Sequence, residues 1–229
     1  MKPKVYVPYS KARNLMKDGD VLCFMGTRWW SRLISYFTNS LYTHVAMASW
    51  SNGSTKSNLE CLQFHAATGG AAVNLSSVLR DDPRDIDVYR IALPYNKIEF
   101  NPDTLKTKVV KVNPKLKDIT NTMRGLTGIP YSTKQLFRMV MFYIPFVRLF
   151  MKLPHMMDDD APIHTNNLVC STSVSYSFYK NGVDLVMNKS NENTAPGDIG
   201  RSPLLNYLFT LEDDTQHGEE VMPSSEVTK

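Results

Sequence analysis

Two apolar runs, 41–50 (LYTHVAMASW) and 59–67 (LECLQFHAA), flank the polar stretch 51–58. Each is too short for a typical helix and is rich in residues that suit a pleated surface, so both read as strands. The polar stretch joins them as a hairpin connection, which makes the pair antiparallel. Each strand carries one histidine, His44 and His65, among apolar neighbours. A lone histidine in an apolar strand is usually a hydrogen-bonded core residue. Two of them on adjacent strands can share one face, where one ring orients the other.

Around this pair the chain reads as α+β. Asp18-Gly19-Asp20 turns into a strand over Val21–Phe24,. Trp29, Leu33, Ile34 and Phe37 recur at helical spacing,. Leu75–Leu79 suits a short helix and Ile86–Ile91 a further alternating strand. Residues 94–113 carry one β-like run, Lys108–Val112. Helical periodicity returns over Pro114–Leu126 and over 134–152, the latter broken at Pro145,. Residues 188–203 read as loop, with a turn at Pro196-Gly197-Asp198, and Leu204–Leu211 as a closing element. The expected organisation is an N-terminal arm over 1–18, one domain over 19–211 with an inserted helical segment at about 134–162, and a disordered acidic tail over 212–229,.

The chemistry-bearing stretch is 168–185 (LVCSTSVSYSFYKNGVDL). Val169, Val174 and Phe178 form an apolar stripe, Asn166 and Asn167 can cap, and Gly182 stands where a left-handed C-terminal residue is wanted,. Cys170 therefore opens a helix, where the dipole favours the thiolate and lowers the thiol pKa. It is the candidate nucleophile, and a base is required. His44 fits best. His155 and His164 lie in loop-like sequence and His217 in the tail. His65 is the preferred orienting residue, with Glu60 as the alternative. Cys23 and Cys61 sit in apolar strand sequence and read as inert.

Composition narrows the partners. The 229 residues are 42% hydrophobic and 21% charged with a formal net charge of +4. That suits a globular domain with a sizeable core and is too mild to indicate nucleic acid. Three cysteines make neither a disulfide framework nor a zinc site; they suit a reducing compartment, and no metal or cofactor is expected. No signal peptide is evident and the apolar run 139–147 falls short of the about 20 residues of a membrane span. The expected location is the cytoplasm; a viral or phage enzyme released by lysis would read the same. The basic, aromatic segment 135–152 is read first as core helix, with a membrane-interface contact as the alternative.

The ordered set of residues resembles the permuted papain-like hydrolases of the NlpC type, YaeF/YiiX branch, which are related to the lecithin-retinol-acyltransferase-like proteins. The resemblance rests on Gly19-Asp20-Val-Leu, Tyr42-Thr-His44, Phe64-His65-Ala66 followed by Gly69-Gly70, Gly128-Ile-Pro-Tyr131, Val169-Cys170-Ser-Thr and the Pro196-Gly-Asp198 segment. Histidine comes first and cysteine last, the reverse of papain. Two departures stand out. His65 replaces the usual Glu, and Cys-Ser-Thr replaces Cys-Ser-Glu. The resemblance implies a circularly permuted papain-like fold, an antiparallel sheet packed against the nucleophile helix. It implies cleavage of an amide or ester by Cys170, His44 and His65 through an acyl-enzyme, with small amides, peptides or lipid esters as substrates. The Cys170 backbone N–H is the expected oxyanion donor, with Tyr42 and Ser171 as further oxyanion or substrate contacts. The alternatives are a lipid acyltransferase or thioesterase and a non-catalytic structural or virion protein on the same fold.

Overall fold

The computed structural model describes residues 3–26, 35–36, 38–51, 58–142, 168–187, 189–212 and 214. Trp29, Leu33, Ile34 and Phe37 of the expected helix, the caps Asn166 and Asn167, His155, His164, and nearly all of the tail lie outside them. Among the described residues nine strands occur in chain order: β1 (Tyr6–Pro8), β2 (Val21–Met25), β3 (Tyr42–Trp50), β4 (Leu59–His65), β5 (Gly69–Asn74), β6 (Ile86–Ile91), β7 (Tyr95–Asn101), β8 (Lys106–Val112) and β9 (Leu205–Glu212). Seven form one sheet in the order β1-β9-β6-β2-β3-β4-β5, and β7 and β8 form a separate ribbon. The described helices are α1 (Tyr9–Ala12), α2 (Leu75–Asp81), α3 (Leu116–Arg124), α4 (Thr133–Phe142), α5 (Cys170–Tyr179) and α6 (Pro196–Gly200). Among the described residues no helix is long and apolar enough to cross a membrane.

The expected antiparallel sheet is in fact mixed. Every pairing in it is antiparallel except β1 with β9, which is parallel. The cause is the N-terminal segment. It adds the edge strand β1 and buries Tyr9, Ala12 and Met16. Residues 95–101 differ too: they form β7, the partner strand of the expected run Lys108–Val112.

Side-chain alternation splits the sheet into two faces. Val21, Cys23, Val45, Met47, Leu62 and Phe64 face α5 and α3, with Val174, Phe178, Ile119 and Met123 completing that core. Leu22, Phe24, Ala46, Ala48 and Cys61 face the other way, against Leu75 and Leu79 of α2 and Tyr9 and Ala12 of α1. Phe178 is wholly buried; truncating such a side chain costs about 3–5 kcal/mol, so α5 is firmly seated. The helix ends as its sequence indicates. Gly182 has φ +82°, its N–H donates to the Tyr179 carbonyl, and the Val183 N–H donates to the Phe178 carbonyl,.

Candidate active site

The site is built where β3 and β4 part. They pair from Trp50–Leu59 to Met47–Leu62 and no further, although β4 goes on pairing with β5 as far as His65–Gly69. β3 meanwhile continues along β2 to Tyr42, with an irregularity that leaves Thr43 without an opposite residue,. The backbone of residues 44–46 is thereby exposed on its β4 side, and the start of α5 fills the opening. The backbone N–H groups of Val45, Ser171 and Cys170 itself favour the thiolate at the Cys170 sulfur. No side chain caps α5, whose N-cap is Val169. Its first N–H groups are thus available to the thiol.

Cys170 is only 6% exposed. The expected lowering of its pKa does not hold: burial raises it, and this outweighs the opposing pull of the three N–H groups and the Arg84 charge,. Cys61 is pushed up to about 12 and Cys23 is raised further, with burial the chief cause in both. Three backbone donors favour the thiolate at Cys170 alone.

His44 is buried at the start of β3, its ring centroid 5.0 Å from that of Phe24 and tilted by 59°. Its Nε2 lies 3.1 Å from Oε1 of Gln63. An amide oxygen only accepts, so Nε2 carries the proton and Nδ1 is left with its lone pair. Burial lowers the His44 pKa to about 3, reinforced by the charges of Arg84 and His65 and opposed by the Gln63 bond. The imidazole is neutral at pH 7. No hydrogen bond joins it to the thiol among the described residues. Instead the two groups approach the same stretch of backbone from opposite sides: Cys170 packs with Val45 on the α5 face, while His44 rests on Phe24 of the other.

The orienting contact goes to neither of the expected residues. His65 shares a face with Gln63 but is exposed, and its Nδ1 accepts the Ala67 N–H at 3.4 Å. Glu60 faces the α5 layer, its carboxylate 2.6 Å from Arg124 of α3. Because β3 and β4 diverge, the long amide of Gln63 is what spans to His44. Its sequence signal was its face: Cys61, Gln63 and His65 alternate with Leu62 and Phe64,. Tyr42 is also placed elsewhere. Its hydroxyl donates to Asp87 at 2.6 Å and lies 2.7 Å from that of Tyr89. Asp87 further accepts from Thr210 at 2.6 Å and has Lys4 at 3.3 Å, a cluster separate from the thiol.

Two further residues join the site: Arg84, which no sequence pattern marks, and Tyr131, from the Gly128-Ile-Pro-Tyr131 motif. Arg84, held by Asp82 at 2.7 Å, places its guanidinium 4.8 Å from the Phe24 ring centroid, and its charge bears on both His44 and Cys170. Tyr131 has its phenol pKa raised, first by burial and then by the charge of Cys170. It belongs to the segment that bridges to Leu168, with the Leu168 N–H donating to the Pro130 carbonyl and the Ser132 N–H to the Leu168 carbonyl. That segment is also locked to β5: the Gly70 N–H donates to the Ile129 carbonyl and the Gly128 N–H to the Gly70 carbonyl. Gly69 is required there. It has φ +69°, and a Cβ would lie 2.4 Å from the Ile129 oxygen,.

No known family model matches this chain, and no curated protein matches it in sequence. Among solved structures it is similar to the metalloprotein YiiX from Escherichia coli O157:H7, at 12% sequence identity. The match covers 84% of this chain and 96% of YiiX with a TM-score of 0.51. The fold of this mixed α+β chain is therefore similar to that of YiiX over nearly the whole length of that protein.

Proposed function

We propose that this chain is a cysteine hydrolase on a circularly permuted papain-like frame, acting on an amide or ester carbonyl. The observation that carries the reading is the convergence at residues 44–45. The Val45 N–H favours the thiolate at Cys170, while the adjacent His44 has Nε2 tied to Gln63 and Nδ1 left with its lone pair. The starting pair is neutral thiol and neutral imidazole. For the sulfur to attack the carbonyl carbon, the His44 ring has to swing from Phe24 to the α5 face, where Nδ1 takes the S–H proton. The N–H groups at the start of α5 stabilise the oxyanion. The tetrahedral adduct collapses, the C–N or C–O bond breaks, and the leaving group takes the proton from Nδ1. Water then adds to the thioester with His44 again accepting a proton, which releases the acid and restores the thiol. An acyl acceptor in place of water makes the same chemistry a transfer.

YiiX is described as a metalloprotein. Among the described residues of this chain no three His, Cys, Asp or Glu side chains converge as a metal site, and Arg84 sets a cation against the Phe24 ring on which His44 rests. These residues do not fit a metal, and no step is routed through one.

The test is alkylation of the native protein by iodoacetamide across pH, read by peptide mass spectrometry. Cys170 should label well ahead of Cys23 and Cys61, and His44→Ala should slow it. Turnover of a panel of amides and esters should vanish in Cys170→Ser, by at least about a thousandfold. The buried thiol without a bond to the imidazole favours one rival, a binding protein on the same fold. Equal labelling of all three cysteines, unchanged by His44→Ala, would establish that rival.

A further inference from the structure

The ribbon of β7 and β8 has a surface unlike the rest of the molecule. Its root is held by Tyr95 and Val112, which pair and pack on the core. Beyond the root, Ile98 pairs with Val109 and Phe100 with Thr107, so Ile98, Val109 and Phe100 share one face,. They are 71%, 63% and 60% exposed, and Leu105 in the connecting turn is 78% exposed. Large apolar side chains grouped this way mark a contact surface.

The charge of the same segment indicates what it contacts. Residues 95–117 hold six lysines (97, 106, 108, 111, 115 and 117) and two acids, Glu99 and Asp103, a net +4. That equals the formal net charge of the whole chain, so the remainder is balanced. Lys97 lies 3.7 Å from Glu99. The other five lysines are exposed, and no ion pair engages them among the described residues. Lys111 ends the apolar face, and Lys106 and Lys108 project from the opposite one. Their flexible stems can bring the ammonium groups round to the level of the apolar residues.

We propose that the β7–β8 ribbon docks on an anionic lipid surface, with Ile98, Phe100, Leu105 and Val109 entering the headgroup–acyl boundary and the lysines meeting the headgroups. A bilayer accepts an apolar face of any outline, whereas a protein partner needs a complementary groove. Nucleic acid would account for the lysines and leave the apolar face without a role. The ribbon is distinct from the segment 135–152, and the docking does not depend on the chemistry at Cys170.

The test is co-sedimentation of the full chain with vesicles of phosphatidylcholine alone and with about one-third phosphatidylserine. The wild type and Cys170→Ser should both bind the anionic vesicles, more weakly as salt rises, and not the neutral ones. Lys106→Glu with Lys108→Glu and Lys111→Glu should weaken binding on the order of a hundredfold. Ile98→Ser with Phe100→Ser and Val109→Ser should weaken it by about tenfold or more. Circular dichroism of both variants should match the wild type, because the altered side chains are exposed. Failure of the wild type to bind anionic vesicles overturns the proposal. So does an apolar variant that binds like the wild type; if an oligonucleotide then competes, the ribbon is a polyanion site instead. Self-association abolished by the apolar substitutions, without vesicle binding, would mean that a second copy covers this face.

Discussion

Helix α5 and the β7–β8 ribbon reverse the usual placement of polar and apolar residues, and each does so for a reason. In α5, Ser171, Thr172, Ser173, Ser175 and Ser177 are essentially inaccessible. Their hydroxyls are bonded where the structure shows partners: Ser173 to the Cys170 carbonyl, Ser177 to the Ser173 carbonyl, Ser175 to Asn191, and Thr172 to Gln135. In the ribbon, Ile98, Phe100 and Val109 face water. Burial of a polar group costs little when its bonds are made, and small hydroxyl side chains let α5 sit close against the sheet. Exposure of an apolar face costs stability and has to be offset by what that face contacts. The first region trades apolar burial for exact placement of a thiol; the second keeps apolar surface available.

The comparison can be stressed at graded sites. The largest effect is expected from charging a buried polar group. His44 has its pKa lowered from 6.5 to about 3, so below about pH 6.5 the unfolded chain binds a proton that the folded one refuses. Its contribution is intact above that pH and is lost as pH falls towards 3, on the order of a few kcal/mol. Thermal midpoints of wild type and His44→Leu should diverge between about pH 7 and about pH 4, the wild type falling faster. Parallel curves would assign acid sensitivity to another group.

Next comes Gly69→Ala, which sets a Cβ against the Ile129 oxygen at a positive φ. A loss on the order of 2–4 kcal/mol in urea unfolding is expected, with slower Cys170 alkylation as the 128–131 segment shifts. Gly128 has φ +85° with open space around it, so Gly128→Ala should cost only the backbone strain of about 1–2 kcal/mol. Equal losses at the two would deny the role of the close approach. Ser175→Ala follows at about 1–3 kcal/mol, because Asn191 loses its buried partner,. At the small end, Ile98→Ser should stay within about 0.5 kcal/mol. A larger loss there would show that the ribbon face is covered within the molecule.

Much of this was legible before the coordinates. The alternation of β2, β3, β4 and β6 and the close of α5 at Gly182 follow from local chemistry, as do the positions of Cys170 at the start of α5 and of His44 in β3. What escaped depended on relations between distant segments. Gln63 rather than His65 meets His44 because β3 and β4 part after Met47, and no local pattern encodes where a ladder stops. Arg84 reaches Phe24 from a loop after α2. Tyr42 is drawn to Asp87, a residue 45 positions away in sequence. The thiol pKa runs opposite to the sequence expectation because helix-end electrostatics are local and burial is not. β7 was missed because its exposed strand mixes Lys, Glu and Asn with Ile and Phe and shows no buried face.

The parallel pairing of β1 with β9 joins residues 6–8 to residues 210–212. Synthesis is vectorial, so the first strand made must wait for the last before it has a partner. Until then its backbone donors and acceptors, and the Tyr9, Ala12 and Met16 side chains that follow, lack the β9 edge that anchors them. Closing so long a loop is slow compared with local helix formation. The final step of folding on the ribosome is therefore expected to be a handshake between the two ends of the domain, and a nascent chain halted before residue 205 should leave its opening segment open to proteases.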